Sequence, residues 1–392
     1  MNTVFQKLKG DRVIWMTVLF LGLISLLAVY SSISSLAFKR EGGSTMHFLM
    51  KHGIMLVTGG VIMYYVSKQQ FTIYSRLSQL LIGVMAVLLL LTLLLGSNIN
   101  DASRWITIPI INQSFQTSDP AKVVLIVYLA RVLGKNQGEE WTLRDVLIKL
   151  MVPVGAICGL ILPANFSTAA VLFAVCMIIM FIGQVPLKHM AVIVGAAVGM
   201  FALLLVLAKT TPGLLPRLDT WVGRIESFGV EDHDANYQVE HAKIAIASGG
   251  FLPNGPGSGT SRNFLPHPYS DMIYAFIIEE YGSILGGLGL LLLYLILLFR
   301  AVRIASTCTK PFGALAAIGL GLMLVMQAMI NMAVAVNLVP VTGQPLPLVS
   351  MGGTSVWFTC LAIGIMLSVS RGAEEQPVPT SPDVKRPRTA LA

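Results

Sequence analysis

The chain has 392 residues, of which 55% are hydrophobic and only 12% charged, and its formal net charge is +8. Ordinary soluble domains carry about 25% charged residues, so this composition excludes a soluble globular protein and indicates a polytopic membrane protein. The positive charge does not indicate a nucleic-acid partner, because no basic face with interleaved aromatic residues occurs. An excess of Lys and Arg is typical of the cytoplasmic loops of membrane proteins.

The apolar segments predict ten membrane spans. A helix that crosses the hydrocarbon core needs about 20 mostly apolar residues. Six segments are clear candidates and four are shorter or interrupted: 13–33, 48–66, 77–95, 190–208, 272–299 and 314–338, then 121–133, 146–162, 166–183 and 356–369. An even number of spans puts both termini on one side, and the positions of Lys and Arg place that side in the cytoplasm.

The fold class predicted from this pattern is an all-α polytopic membrane protein with ten transmembrane helices. Residues 1–371 form its membrane domain, and residues 372–392 form a disordered basic cytoplasmic tail. A large extracytoplasmic loop, 209–270, lies between helices 7 and 8 and holds much of the polar character of the chain. Loops of this length are usually functional or disordered. A helix-like stretch at 237–247 favours order and function, whereas the shorter outside segment 96–115 is expected to lie along the interface.

The most informative single residue is Asp271, at the point where this loop meets a long apolar helix. A carboxylate at the mouth of a membrane helix is costly to place and can do chemistry at the lipid–water boundary. Two interpretations stay open here: a helix N-cap, or a general base near a membrane-embedded substrate. Glu279 and Glu280 lie two turns deeper and are expected to bind polar partners within the bundle.

Asp119 and Lys122 lie three residues apart at the start of the fourth helix, so their side chains share one face. They form either an internal ion pair or a site in which Lys122 binds phosphate while Asp119 orients it or holds a cation. Arg104 and Arg224 lie on the outside, where a guanidinium group suits the oxygens of a pyrophosphate. Surface salt bridges explain either arginine equally well.

Three further segments are rich in glycine, proline or polar residues. The stretch 248–259 lacks the sequence context of a Walker or Rossmann loop, so it is a flexible hinge or a closely packed loop. Residues 163–168 and 339–355 interrupt apolar segments at their outside ends. Irregular backbone at the membrane is tolerated where it is buried or lines a cavity. With Gln327 and Asn331 projecting nearby, these segments are interpreted as walls of a polar cavity. The four cysteines lack metal-ligand spacing and predict no metal site.

Together these motifs resemble the SEDS family (shape, elongation, division and sporulation proteins). The matching segments occur in order between about residues 100 and 355: 103–106 with 116–122, 237–238 through 249–250 with 255–259, 265–271 with 279–282, and 340–353. The resemblance implies a peptidoglycan glycosyltransferase that polymerises lipid II outside the bacterial cytoplasmic (inner) membrane. It also implies a class B penicillin-binding protein and other divisome proteins as partners. The match leans towards the division type, at the septum, rather than the elongation type.

The resemblance also assigns roles to residues. Asp271 matches the essential loop aspartate of the family, and Asp119 and Lys122 match its fourth-helix motif, with aspartate where glutamate is usual. The other residues that we assign to substrate binding are Arg104, Arg224, Tyr237, Gln238 and Ser350. The chain departs from the family pattern at Asn165, Asn263, His267 and Tyr269, so a catalytic role at these positions is not carried over.

The mechanism expected from the resemblance is a single inverting displacement with Asp271 as general base. No organic cofactor is expected, and a divalent cation (Mg²⁺ or Mn²⁺) is a candidate for stabilising the leaving pyrophosphate. Two other functions remain open at this point. Broken helices around a polar cavity also suit a flippase or transporter of a lipid-linked precursor, and a non-catalytic scaffold that recruits a transpeptidase is the third.

Overall fold

A computed structural model describes residues 9–32, 45–95, 97–99, 102–108, 113–210, 221–224, 226, 228, 233–264 and 269–374. The helices, in chain order, are α1 (Arg12–Ser32), α2 (Thr45–Lys68), α3 (Phe71–Leu95), α4 (Ser118–Lys135), α5 (Val152–Ile161), α6 (Phe166–Ile182), α7 (Leu187–Thr210), α8 (His233–Gly249), α9 (Ile273–Tyr281), α10 (Gly289–Thr307), α11 (Pro311–Ala335) and α12 (Ser355–Glu374). A short helical turn, Leu143–Asp145, and a π-helical segment, Val146–Met151, lead into α5, and a second π-helical segment, Gly282–Leu288, leads into α10.

Seven helical stretches in the described part of the chain are long and apolar enough to cross a membrane. They are α1, α2, α3, α7, the stretch Ile273–Thr307, α11 and α12, and α6 is apolar but shorter. Each of the ten apolar segments singled out in the sequence is helical over most of its length. The chain is therefore a mainly helical, multi-pass membrane protein, and a total of ten spans stays a prediction. Most of the predicted tail lies outside the described residues, while 372–374 continue α12.

The centre of the bundle is α11, which packs against α4, α6, α9, α10 and α12. Its buried face is rich in small and apolar side chains, and it also buries Gln327 and Asn331. In contrast, the apolar side chains of α7 are largely exposed, which is the pattern of a helix facing lipid at the edge of a bundle. The polar residues buried in α11 are thus placed well inside the protein.

The all-α prediction is wrong for the segment between α3 and α4. Three short strands, β1 (Ser97–Ile99), β2 (Ala102–Ile108) and β3 (Gln113–Gln116), form an antiparallel sheet in the order β1-β2-β3. In the register of β2 and β3, Trp105 pairs with Gln116 and Ile108 with Gln113. The sheet satisfies the backbone of a segment between two membrane helices, where unpaired peptide groups are costly. It leads directly into α4.

The predicted single helix over 272–299 is interrupted at Gly282. This residue has φ +75°, and a β-carbon at its position would lie 2.7 Å from the backbone of Leu252 and Phe251. Glycine is the residue that tolerates both the positive φ and the close approach. As a result α9 is a separate helix of nine residues, buried from Ile273 to Glu280, that carries the segment after Asp271 into the bundle.

The two ends of the bundle differ in their polar contacts. At one end, the Arg300 guanidinium donates through Nε to Asp11 Oδ2 at 2.7 Å, tying α10 to the start of α1. Asp271 lies at the other end, because its carbonyl is bound by Asn331. Asn331 lies about 30 Å along α11 from Pro311, at 1.5 Å per residue, and Pro311 closely follows the end of α10. We call this the Asp271 end. It also contains the β-sheet and the segment between α11 and α12.

Candidate active site

Asp271 lies two residues before the first residue of α9. The residue in the N-cap position is Met272, and no side chain among the described residues caps this helix. The N-cap interpretation of Asp271 is therefore not supported. The Asp271 side chain is partly exposed, whereas residues 272–280 that follow it are all buried. The carboxylate thus lies at the surface of a buried helix entrance.

Three hydrogen bonds fix the backbone that carries Asp271. Met351 N donates to Tyr269 O at 3.0 Å, and Ser350 Oγ donates to Ser270 O. Asn331 Nδ2 donates to Asp271 O at 2.8 Å. Consecutive carbonyls at 269, 270 and 271 are thus each held by a different residue, and these residues come from α11 and from the segment before α12.

Two of these donors, Ser350 and Met351, come from the segment between α11 and α12, and Asn331 lies on α11 itself. Ser350 Oγ accepts from Leu346 N at 2.8 Å, which closes a tight turn, and Tyr294 Oη donates to Pro347 O from α10. Leu348, within the turn, has φ +64°. A branched residue rarely adopts this conformation, so the surrounding contacts must hold it. We call residues 346–350 the buttress turn.

The predicted Asp119–Lys122 ion pair is present. Lys122 Nζ lies 2.9 Å from Asp119 Oδ1, and the two side chains are only 11% and 5% exposed. Lys122 Nζ also donates to Gln327 Oε1 at 3.4 Å, while Gln327 Nε2 donates to Pro345 O at 2.9 Å. A network of polar contacts therefore runs from α4 through α11 to the segment that enters the buttress turn.

Gln327 and Asn331 connect this network to Asp271. They are four residues apart on α11, so they lie on one face about 6 Å apart along the axis. Asn331 Nδ2 donates to both Asp271 O and Gln344 O, each at 2.8 Å. Three buried polar atoms beside these contacts have no hydrogen-bond partner among the described residues: Asp119 Oδ2, Asn331 Oδ1 and Gln344 Nε2. An ammonium group, a carboxylate and two amides thus form a buried polar set that reaches the Asp271 backbone through Asn331, and a cavity beside them stays a prediction.

Glu279 and Glu280 are buried and bind the glycine-rich loop. Glu279 Oε1 accepts from Thr260 N at 2.9 Å and from Ser261 N at 3.2 Å. Glu280 Oε1 accepts from Gly257 N at 2.8 Å and from Ser31 Oγ on α1. The expectation that these glutamates take polar partners is confirmed.

Of the two interpretations of the glycine-rich stretch, the structure favours the closely packed loop. A β-carbon at Gly259 would lie 2.8 Å from Glu279 Oε2, and one at Gly249 would collide with Ile278 O. Glycines at these positions let the loop backbone approach α9 closely enough to be bound by the two glutamates.

Four other predicted binding residues take no part in these hydrogen bonds. Arg224 Nη1 donates to Val341 O at 2.9 Å, which places it against the segment that leads to the buttress turn. Arg104 lies on β2, next to Trp105, whose partner Gln116 immediately precedes the approach to α4. Tyr237 and Gln238 lie on α8, within the predicted helical stretch. No hydrogen bond joins either of them to Asp271 among the described contacts, and the Tyr237 ring packs edge-on against His241, 4.3 Å between centroids.

The structure shows what some of the residues that depart from the family pattern do. Asn165 caps α6, its Oδ1 accepting from Thr168 N at 3.3 Å. Tyr269 contributes its backbone carbonyl to Met351 N. Asn263 ends a short 3₁₀ turn, Ser261–Asn263, and His267 lies outside the described residues. Sequence reasoning missed Ser25, His52 and Tyr294, which are polar groups in apolar helices. Ser25 and Tyr294 bind a distant turn and His52 binds Ser25, and such contacts carry no local signal.

The fold and site define a multi-pass membrane protein with a partly exposed carboxylate, held by a buried polar network at one end of its bundle. Comparison with known sequences gives its family. The model of the FtsW/RodA/SpoVE family, described as cell cycle protein, matches residues 11–375. The chain therefore belongs to the FtsW/RodA/SpoVE family, the SEDS proteins.

Individual relatives match along nearly their whole length. The chain is 30% identical over 369 residues to a probable peptidoglycan glycosyltransferase FtsW of Coxiella burnetii, covering 92% of this chain and 96% of the relative. It is 31% identical over 388 residues to the protein of the same name from Trichlorobacter lovleyi, covering 97% and 98%. It is 28% identical over 375 residues to stage V sporulation protein E of Bacillus subtilis, covering 93% and 98%.

Solved structures share the fold. A chain from a study of polymerization and crosslinking by a peptidoglycan synthase complex superposes with a TM-score of 0.70 at 24% identity, covering 94% of this chain and 99% of that one. The rod shape determining protein RodA of Thermus thermophilus superposes with a TM-score of 0.67 at 24% identity, covering 95% and 100%. The helical arrangement described above is thus that of this family.

Proposed function

We propose that this protein is a peptidoglycan glycosyltransferase that polymerises lipid II during cell division, by inverting transfer with Asp271 as general base. Family membership and the names of its relatives support the activity. The observation that carries the role of Asp271 is the fixation of carbonyls 269–271 by Met351, Ser350 and Asn331. A general base must be held in a defined position relative to the proton that it removes.

In the proposed reaction, the Asp271 carboxylate removes the proton from the 4-hydroxyl group of the acceptor N-acetylglucosamine. That oxygen attacks the anomeric carbon of the donor, and the bond to the lipid pyrophosphate breaks. The donor is α-linked and the product β-linked, so one in-line displacement with inversion is sufficient. A retaining mechanism would need a second carboxylate as nucleophile. Glu279 and Glu280 do not serve as one, since their Oε1 atoms bind the glycine-rich loop.

The leaving pyrophosphate is stabilised, in this proposal, by Lys122 with help from Arg104 and Arg224. Lys122 is nearly buried beside Gln327, where an ammonium group acts more strongly on a developing anion than in water. Within the described residues no three His, Cys, Asp or Glu side chains cluster as metal ligands would. We therefore propose that a divalent cation, Mg²⁺ or Mn²⁺, enters with the substrate pyrophosphate, as Mg²⁺ commonly does.

The cellular setting follows from the same proposal. The protein lies in the bacterial inner membrane with ten spans and both termini in the cytoplasm, and the Asp271 end faces outwards with the loop 209–270. It acts at the division septum with a class B penicillin-binding protein and other divisome proteins. One of the solved structures that share the fold belongs to a peptidoglycan synthase complex, which supports a partner of this kind.

The test compares purified wild-type protein with Asp271→Asn, bound to the transpeptidase, for glycan formation from lipid II. We expect a loss of about 10²- to 10⁴-fold, the usual contribution of a general base. Asp145→Asn is the matched control, because Asp145 pairs with Lys149 in an exposed position. Normal polymerisation by Asp271→Asn would contradict the assigned base. Translocation of lipid II in sealed liposomes without glycan formation by the wild type would instead support a flippase. If neither activity is found and Asp271→Asn is harmless in cells, the scaffold interpretation is favoured.

A further inference from the structure

A second set of buried polar side chains lies behind the buttress turn, away from Asp271. Ser25 on α1 and His52 on α2 are both fully buried. Ser25 Oγ lies 2.7 Å from His52 Nε2, and it donates to Val349 O at 2.8 Å. These contacts join the first two helices to a turn more than 300 residues further along the chain.

The hydrogen atoms of this set can be assigned from its geometry. A serine hydroxyl has one hydrogen, and Ser25 gives it to Val349 O, which has no hydrogen of its own. The contact between Ser25 Oγ and His52 Nε2 therefore requires the imidazole to donate, which assigns the proton to Nε2. The polar chain runs in one direction, from His52 through Ser25 to the carbonyl of Val349.

The buttress turn needs such a contact because its conformation is unfavourable by itself. Leu348 is buried with φ +64°, and the following peptide carbonyl is the one that Ser25 binds. Tyr294 binds the carbonyl on the other side of Leu348, at Pro347. Two hydroxyl groups from different helices thus hold the carbonyls on either side of the strained residue. The next residue along the chain, Ser350, holds Ser270 beside the catalytic candidate.

We propose that Ser25 and His52 are positioning residues for Asp271, acting through the buttress turn. This inference rests on the proposed transferase activity. His52 orients the Ser25 hydroxyl, Ser25 holds Val349, and the turn then holds Ser350 and Met351 against the backbone of Ser270 and Tyr269. Neither side chain contacts the Asp271 carboxylate, so their loss displaces the base without removing a substrate contact. The expected signature is a lower kcat with little change in KM.

The experiment measures kcat and KM for lipid II polymerisation by the full chain with its transpeptidase partner. Ser25→Ala is expected to lower kcat about tenfold and to leave KM within about twofold. Ser25→Thr keeps the hydroxyl and is expected to restore most of the rate. The matched control is Thr17→Val, which removes a buried hydroxyl on the same helix that bonds only within α1, to Val13 O.

His52 is tested by comparing single variants of Ser25 and His52 with the double variant. His52→Leu is expected to lower kcat about as much as Ser25→Ala, and the double variant is expected to be no worse than either, because both changes break one chain of contacts. His52→Gln keeps a donor and should recover part of the rate. Melting temperatures in detergent are measured for every variant.

Three outcomes would overturn the proposal. They are an unchanged kcat in Ser25→Ala, additive losses in the double variant, or a loss in Thr17→Val as large as that in Ser25→Ala. If Ser25→Ala does not fold, Ser25→Thr and His52→Gln give the decision: Ser25→Thr must then approach wild-type activity, and His52→Gln must be more active than His52→Leu. An inactive wild type would count against the proposed function itself. An active wild type with an equally active, folded Ser25→Ala would count against the positioning role alone.

Discussion

Asn331→Leu is the substitution that most directly tests how the carboxylate of Asp271 is held. Asn331 is 1% exposed, and its amide nitrogen donates to Asp271 O and to Gln344 O, both at 2.8 Å. Leucine has the same number and branching of side-chain heavy atoms and suits an apolar helix, so the substitution removes two hydrogen bonds without leaving a cavity. Both carbonyls then lose a partner in a buried setting.

The magnitude follows from those two bonds. Leaving one buried polar group unsatisfied costs about 1–3 kcal/mol, so the two carbonyls together cost about 2–6 kcal/mol if nothing moves. The segment at 269–271 relaxes to recover part of this, and the relaxation moves the base. We expect this movement to raise the activation free energy by about 2–3 kcal/mol, which lowers kcat roughly 30- to 150-fold. KM should change little, because Asn331 acts on the backbone of Asp271.

The assay is glycan formation from lipid II by purified protein with its transpeptidase, with the chain products separated on gels. Thr359→Val is the matched control, since it removes a largely buried hydroxyl that bonds within its own helix, to Ser355 O. A folded Asn331→Leu protein with kcat within about twofold of the wild type would refute the reasoning. A rise in KM with unchanged kcat would also refute it, because it would indicate a direct contact with substrate.

Two further predictions concern stability. Arg300→Met should destabilise the protein by about 2 kcal/mol, because it leaves the 3% exposed Asp11 side chain without its cation. Arg303→Met is the control, because Arg303 is exposed and its loss should leave the stability unchanged. Thermal unfolding of the two variants in detergent measures the difference. Gly282→Ala should lower the melting temperature by several degrees, because a β-carbon would lie 2.7 Å from Leu252 backbone atoms at φ +75°. Gly289→Ala is the control, because the atom nearest to a β-carbon at that position is 3.7 Å away. Equal melting temperatures for the two alanine variants would contradict the argument.

The sequence predicted those features that depend on local periodicity. Asp119 and Lys122 pair as their spacing of three residues predicts. The stretch from Tyr237 onwards lies in α8, and the apolar runs are helical. Asp271 could be singled out because a carboxylate beside an apolar helix is conspicuous. In each case the signal lies within about ten residues of the chain.

The rest depends on contacts between distant segments. The strands around Arg104 are short and lack a clear alternation of apolar and polar residues, so pairing with neighbours decides their conformation. The break at Gly282 depends on the approach of Leu252, since glycine alone is tolerated in apolar helices. The bond from Ser25 to Val349 spans 324 residues. No pattern in the sequence specifies such a partner.

The polar residues buried in the membrane helices show a common arrangement that bears on function. Glu280 on α9 and Asn331 on α11 do not lie in an open channel; each binds backbone at the Asp271 end. Ser25 and Tyr294 bind the buttress turn in the same way. A transporter must expose its polar groups alternately to the two sides, and here that movement would break several buried hydrogen bonds at about 1–3 kcal/mol each. The helices instead form a fixed frame that positions loops at one end. Such a frame suits a reaction carried out at the membrane surface, and therefore favours the polymerase over the flippase.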